Sequence, residues 1–251
     1  MKQLHLQPLS NLPWNVVAIA SPHPDDSAIS IGGMIYGLTT SRLRTESHQP
    51  KIITIVATPG YRGVTDEFLA RYQRCARSNV ARWLGIEPNF IESLKSDESC
   101  FRDAIAQRLG PQWEAFGHSG ADLLDGVLKT ALRFTEVTNE ANVLGQTADE
   151  LEFLALADFY KNSEYTSYHK RQVAQVLRSL RSTNGRGLLL LPHPESDEHK
   201  THRLTSHLFR ASVSPDDDWD IGFYYTPWRP LTWSTSESQI VVFPLRHADL
   251  G

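Results

Sequence analysis

Asn15-Val16-Val17-Ala18-Ile19-Ala20-Ser21-Pro22-His23-Pro24-Asp25-Asp26 is the stretch from which the rest of the chain can be read. Its first half is a short run of Val, Ala and Ile that stops at Ser21-Pro22. A continuous apolar run of that length suits a strand buried on both faces. Its second half is dense in metal-ligating and acid–base side chains. Working outward, a helical stretch is expected from about Ser27 to Arg44, with Gly32-Gly33 in its first half. Lys51–Thr58, rich in Ile, Val and Thr and closed by Pro59-Gly60, reads as a second strand. Thr65–Leu84 reads as a helix, with Thr65 as N-cap and Gly85 as its stop. Asn89–Leu94 reads as a weaker third strand.

Strand, helix, strand, helix, strand implies right-handed βαβ units and a parallel sheet. Further on, Tyr165–Ser182 is an amphipathic helix with Val173, Val176, Leu177 and Leu180 on one face. Gly187–Leu191 is the most apolar strand of all and runs into Pro192-His193-Pro194. A helix is expected from Glu198 or His199 to about Ala211, and later strands at Asp220–Thr226 and Gln239–Pro244. Between those two strands, Pro227–Trp233 reads as a loop. The expected fold is α/β: three-layer and Rossmann-like, with a mostly parallel sheet and helices on both faces. No Gly-, Ser- or Pro-rich linker divides it, so residues 1–251 read as one domain. Ser96–Ser163, helical in several pieces, reads as an insertion into it.

Composition narrows the function. The net charge of −4 argues against a general nucleic-acid binder, whose phosphate contacts need a basic face. Cys75 and Cys100 lack the paired spacing of a zinc finger and read as reduced, idle thiols. No apolar run approaches the ~20 residues of a membrane span, and the N-terminus lacks the apolar core of a signal peptide. A cytoplasmic protein without a membrane or nucleic-acid partner is expected.

In open parallel sheets, ligands bind at the carboxyl ends of the strands. Two strands deliver candidates there. One carries Pro22-His23-Pro24-Asp25-Asp26, the other His193, Glu195, Asp197, Glu198, His199 and His202. Imidazole and carboxylate suit zinc, and a catalytic site commonly has three protein ligands and an open position. A helix holding His199 and His202 would present both on one face. Taken alone, Pro-Asp-Asp is as readily a turn and helix N-cap, and two histidines on a helix are usually surface. Both clusters, each straight after a buried strand, favour the metal.

These residues resemble the LmbE/PIG-L deacetylase family. Its opening motif is matched by Ser21-Pro22-His23-Pro24-Asp25-Asp26 with Gly32-Gly33, and its His-x-x-His by His199-Lys200-Thr201-His202. Thr58-Pro59-Gly60 is similar to the family's loop after strand two, and Ala81–Gly85 to its Ala-x-x-Leu-Gly helix end. The resemblance implies a hydrolase that removes the N-acetyl group from an N-acetylglucosamine-containing or related amino-sugar substrate by metal-activated water. It implies Zn2+, with Fe2+ as another divalent candidate. It makes His23, Asp26 and His202 the ligands and Asp25 the general base. A cationic His199 would stabilise or protonate the reacting group, and Asp97 would contact substrate. The leaving amine would take its proton from Asp25 or from His199.

Three departures stand out: Ser27 replaces the family's Glu, Thr201 stands where Asp is common, and the chain stops at Gly251. They leave room for an alternative, a metal-binding pseudoenzyme or partner-binding module of the same fold. The stretch 96–163 is either a lid or oligomer surface, with a homo-oligomer in view, or plain packing. Trp228, Trp233 and Arg229 either line a sugar site or pack a loop. A dinucleotide-binding reading fails for want of Gly-x-Gly-x-x-Gly after strand one, and a serine hydrolase for want of Gly-x-Ser-x-Gly.

Overall fold

The central strand owes its place to five consecutive apolar residues, Val16 to Ala20. In a computed structural model that describes residues 13–39, 50–84, 103, 105–107, 120–156, 164–214 and 217–224, β1 (Val16–Ser21) is buried at every position. It pairs in parallel with β2 (Lys51–Val56) on one side and β4 (Gly187–Pro192) on the other. With β3 (Leu151–Phe153) and β5 (Trp219–Tyr224) at the edges, the sheet has the order β3-β2-β1-β4-β5 and every pairing is parallel.

Side chains along a strand alternate between the two faces. Val17, Ile19 and Ile52 face α1 (Asp26–Thr39) and pack on Met34, Ile35 and Leu38. Val16, Ala18, Ala20, Ile53 and Ile55 face the other way. There they meet Val173 and Leu177 of α4 (Ser167–Asn184) and Leu204, Leu208 and Phe209 of α5 (Lys200–Ser212). Helices therefore cover both faces, the three-layer α/β arrangement expected. A third cluster joins α2 (Asp66–Leu84) to α3 (Gly120–Val143), chiefly through Leu69, Val80, Leu123, Val127 and Leu128.

The helix boundaries follow the local signals. Thr65 Oγ1 accepts from the Phe68 amide at 3.2 Å, the N-cap expected of it. Thr166 and His169 form a reciprocal capping pair at the start of α4. Gly145, at φ 79°, sits in the left-handed region just past α3.

Two differences from expectation matter. The edge strand beside β2 is β3 (Leu151–Phe153), within the stretch read as a helical insertion, so that stretch also completes the sheet. Three residues carry too little pattern to be recognised without their partner. The later strand is β5 (Trp219–Tyr224), as expected to within a residue or two. The strands expected at Asn89–Leu94 and Gln239–Pro244 lie outside the described residues, as do the loop Pro227–Trp233, Cys100 and Asp97. No described helix is long and apolar enough to cross a membrane.

Candidate active site

Because β1 and β4 are parallel neighbours, their carboxyl ends lie side by side, and the loops that follow share one edge of the sheet. The first loop is folded by its own hydroxyls. Ser21 Oγ donates to the His23 carbonyl at 2.6 Å and accepts from the Ser27 amide at 3.1 Å. The loop after β2 clamps it from outside. Thr58 gives both its hydroxyl and its amide to the Pro22 carbonyl, at 2.7 and 3.0 Å. Gly60 lies at φ 66°, where an added Cβ would stand 2.7 Å from Pro24 Cδ. A side chain there would be strained and would also push the loop.

Asp26 opens α1 and is only 4% exposed. Its carboxylate turns back into the site. Oδ2 accepts from the His23 amide at 2.7 Å and lies 2.9 Å from His23 Nδ1 and 3.2 Å from His202 Nε2. The remaining side of the triangle, His23 Nδ1 to His202 Nε2, is 3.3 Å. A tetrahedral zinc with bonds of about 2.0–2.1 Å would hold its donors about 3.3 Å apart. The donor set and its spacing thus fit a zinc-sized cation. His23, His199 and His202 form a second converging set, with ligand atoms all within 4.8 Å of one another. The three rings have centroids 4.7 to 5.2 Å apart, His23 and His199 T-shaped and the other two pairs tilted.

The second loop is ordered by a carboxylate to which the motifs assign no part. Asp197, 7% exposed, accepts from the His199 amide through Oδ1 at 2.9 Å and from His202 Nδ1 through Oδ2 at 2.8 Å. One oxygen thereby starts α5 and the other fixes the His202 ring so that Nε2 points at Asp26. Asp197 stands among the sequence candidates without a role. Its sequence signal is the position of an acidic residue just ahead of a helix start. His199 is itself the N-cap of α5 and not part of the helix, which begins at Lys200. The ring still reaches the cluster because the N-cap precedes the first turn directly.

Electrostatics follow from these contacts. Burial opposes ionisation of Asp26, but hydrogen bonds and charge from His202 and His23 hold it well below the usual carboxylate range. Burial alone would lower His202, yet Asp197 and Asp26 push it up to about 9. The same negative field would draw a divalent cation. His199 is exposed but drawn below its ordinary value, by desolvation first and then by its imidazole neighbours. The direction of that shift disfavours the cationic form.

Asp25 lies beside the cluster and half in solvent. Its Oδ2 meets Arg133 Nη2 of α3 at 2.9 Å. Arg133 is not among the candidates read from the sequence and stands 108 positions away in chain numbering. The structure thus brings His23, Asp25, Asp26, His199 and His202 to one edge, and Asp97 falls outside the described residues.

The family model described as "PIG-L: GlcNAc-PI de-N-acetylase" matches residues 18–213. Among solved structures, the chain is similar to N,N'-diacetylchitobiose deacetylase from Pyrococcus horikoshii, complexed with its inhibitor MPG. That likeness has a TM-score of 0.49 and 22% sequence identity, covering 89% of this chain and 64% of the other. The chain therefore spans slightly under two thirds of that protein's length. No curated protein matches the chain in sequence.

Proposed function

The chain belongs to the PIG-L family of de-N-acetylases, and from that premise we propose that it is a zinc-dependent hydrolase acting on an N-acetylglucosamine-containing or related amino-sugar compound. The observation that carries this reading is the meeting of His23 Nδ1, Asp26 Oδ2 and His202 Nε2 within 3.3 Å of one another. Of these donors, His23 and His202 stand 179 positions apart in the chain. His23, Asp26 and His202 would hold the cation, with His199 close enough to join or exchange with them. When bound, a zinc or other divalent ion such as Fe2+ would polarise the amide carbonyl and lower the pKa of water to about 7.

The chain's own groups supply the rest. An amide is a poor electrophile and neutral water a poor nucleophile, so a base must take the water proton as the C–O bond forms. Asp25 is the carboxylate at the site that binds no imidazole, and a partly solvated carboxylate can accept that proton. As the carbonyl opens, negative charge gathers on its oxygen. Donors aimed at that oxygen would stabilise it. The leaving nitrogen then collects a proton, either from Asp25 as it gives back what it took, or from His199. A neutral His199 could supply it only by taking a proton onto one ring nitrogen as it gives one up from the other.

Asp97 is retained as the proposed substrate contact. The test is elemental analysis of the purified protein, followed by acetate release from a panel of N-acetylglucosamine derivatives. Metal-dependent acetate release is expected. Bound zinc with no release from any member of the panel would favour the pseudoenzyme, whose motivation is Ser27 in place of the family's Glu. Ser27 is buried, and its amide serves Ser21 Oγ.

A further inference from the structure

Asp25 is 37% exposed and sits on a loop, so nothing in its own segment fixes the direction of its carboxylate. What does fix it comes from α3. Arg133, with a side chain 16% exposed, reaches Asp25 Oδ2 through Nη2 at 2.9 Å. Its other terminal nitrogen, Nη1, is held by Glu136 one turn along the same helix. A guanidinium is planar and stays charged, so fixing one nitrogen orients the other. Arg133 grows from a rigid base: Val127, Leu128, Ala131 and Leu132 bury the inner face of α3. The turn after β2 closes over it, for a Cβ on Gly60 would lie 3.2 Å from Arg133 Nε. Glu136 and the turn after β2 thus hold the guanidinium, and the guanidinium holds one carboxylate oxygen.

Resting on the deacetylase reading above, we propose that Arg133 is the positioning residue for Asp25: it holds Oδ2 so that Oδ1 is the oxygen presented to the attacking water. The stretch 96–163 then does more than pack or cover. It delivers the side chain that aims the base. The contact acts on orientation, because a base misplaced by an ångström loses most of its advantage.

The test compares full-length wild type, Arg133→Ala and Arg133→Lys in acetate release, zinc content and thermal melting. Because Arg133 touches Asp25 and none of the cluster's metal donors, Arg133→Ala should keep its zinc and its KM while kcat falls about 10- to 100-fold. Arg133→Lys, which keeps the charge but loses the fork, should recover part of kcat. A melting cycle over Arg133→Ala, Asp25→Ala and the double variant should show that the second substitution costs much less than the first. A kcat for Arg133→Ala within about threefold of wild type would overturn the proposal, as would a loss that tracks departing zinc or strictly additive effects in the melting cycle. Wild type inactive on every substrate would instead overturn the deacetylase reading and carry this inference down with it. The melting cycle would in that case report only on the ion pair.

Discussion

Replacing Asp197 with Asn tests how the second loop aims its histidine. The native carboxylate accepts twice, from the His199 amide at 2.9 Å and from His202 Nδ1 at 2.8 Å. An Asn side chain offers one acceptor oxygen and one amide donor. It can satisfy either the helix start or the imidazole, and it faces the other with a donor against a donor. Both partners at the histidine are buried, His202 at 3% and Asp197 at 7% exposure, so water cannot substitute readily. An unsatisfied buried polar group costs about 1–3 kcal/mol. Partners behind a metal-binding imidazole typically contribute about 10- to 100-fold in metal affinity. Zinc affinity of Asp197→Asn, measured by competition with a chromophoric chelator, should fall by that factor. The exposed neighbour change Glu195→Gln should leave it unaltered. A pH signature accompanies the loss in the metal-free protein. His202 is raised from 6.5 to about 9, so its contribution is fully present below about pH 6.5 and is lost as pH rises through about 9. A shift of that size corresponds to roughly 3 kcal/mol, shared between Asp197 and Asp26. In the Asn variant the fall in melting temperature over that window should shrink. Zinc affinity within a factor of about two of wild type, with the alkaline fall intact, would refute the reasoning.

Asp25→Ala should abolish acetate release and retain zinc, whereas His202→Ala should lose zinc; elemental analysis beside the activity assay separates them. Zinc uptake near pH 7 should release about one proton, from His202 Nε2, and binding should tighten as pH rises towards about 9, both readable with a pH indicator in weak buffer. Gly60→Ala should cost about 1–3 kcal/mol by thermal melting, since its Cβ would crowd Pro24 from a left-handed backbone.

The sheet was legible because its inner strands are buried on both faces, which makes them continuous apolar runs. Gly187–Leu191 was read to within one residue of the observed strand. The edge strand Leu151–Phe153 was not, since a short edge needs few apolar residues and the pattern there is only one buried residue in three. The five residues converging at the site were legible for a related reason. His23, Asp25 and Asp26 follow the end of β1 by at most five residues and His199 and His202 follow the end of β4 by at most ten, so the strand directions say at which edge they emerge. Asp197 was visible as a candidate, but its role depends on which way a turn aims two oxygens, and no periodicity encodes that. Arg133 was invisible. On its helix it is one charged residue among several, and only the packing of α3 against the rest of the fold turns it to Asp25.

That contrast says where the site is robust and where it is fragile. The cation-binding donors depend on the register between β1 and β4, fixed by pairs from Val16↔Gly187 to Ile19↔Leu190. A slip of one residue would turn every buried side chain on β4 to the wrong face, so the hydrophobic core itself protects the His23–His202 approach. The base has no such guarantee. Asp25 takes its direction from α3, whose inner face packs on α2 in a cluster separate from those of the sheet. Changes that loosen the α2–α3 contact should therefore lower turnover while leaving metal in place. Changes in the β1–β4 core should remove metal and stability together.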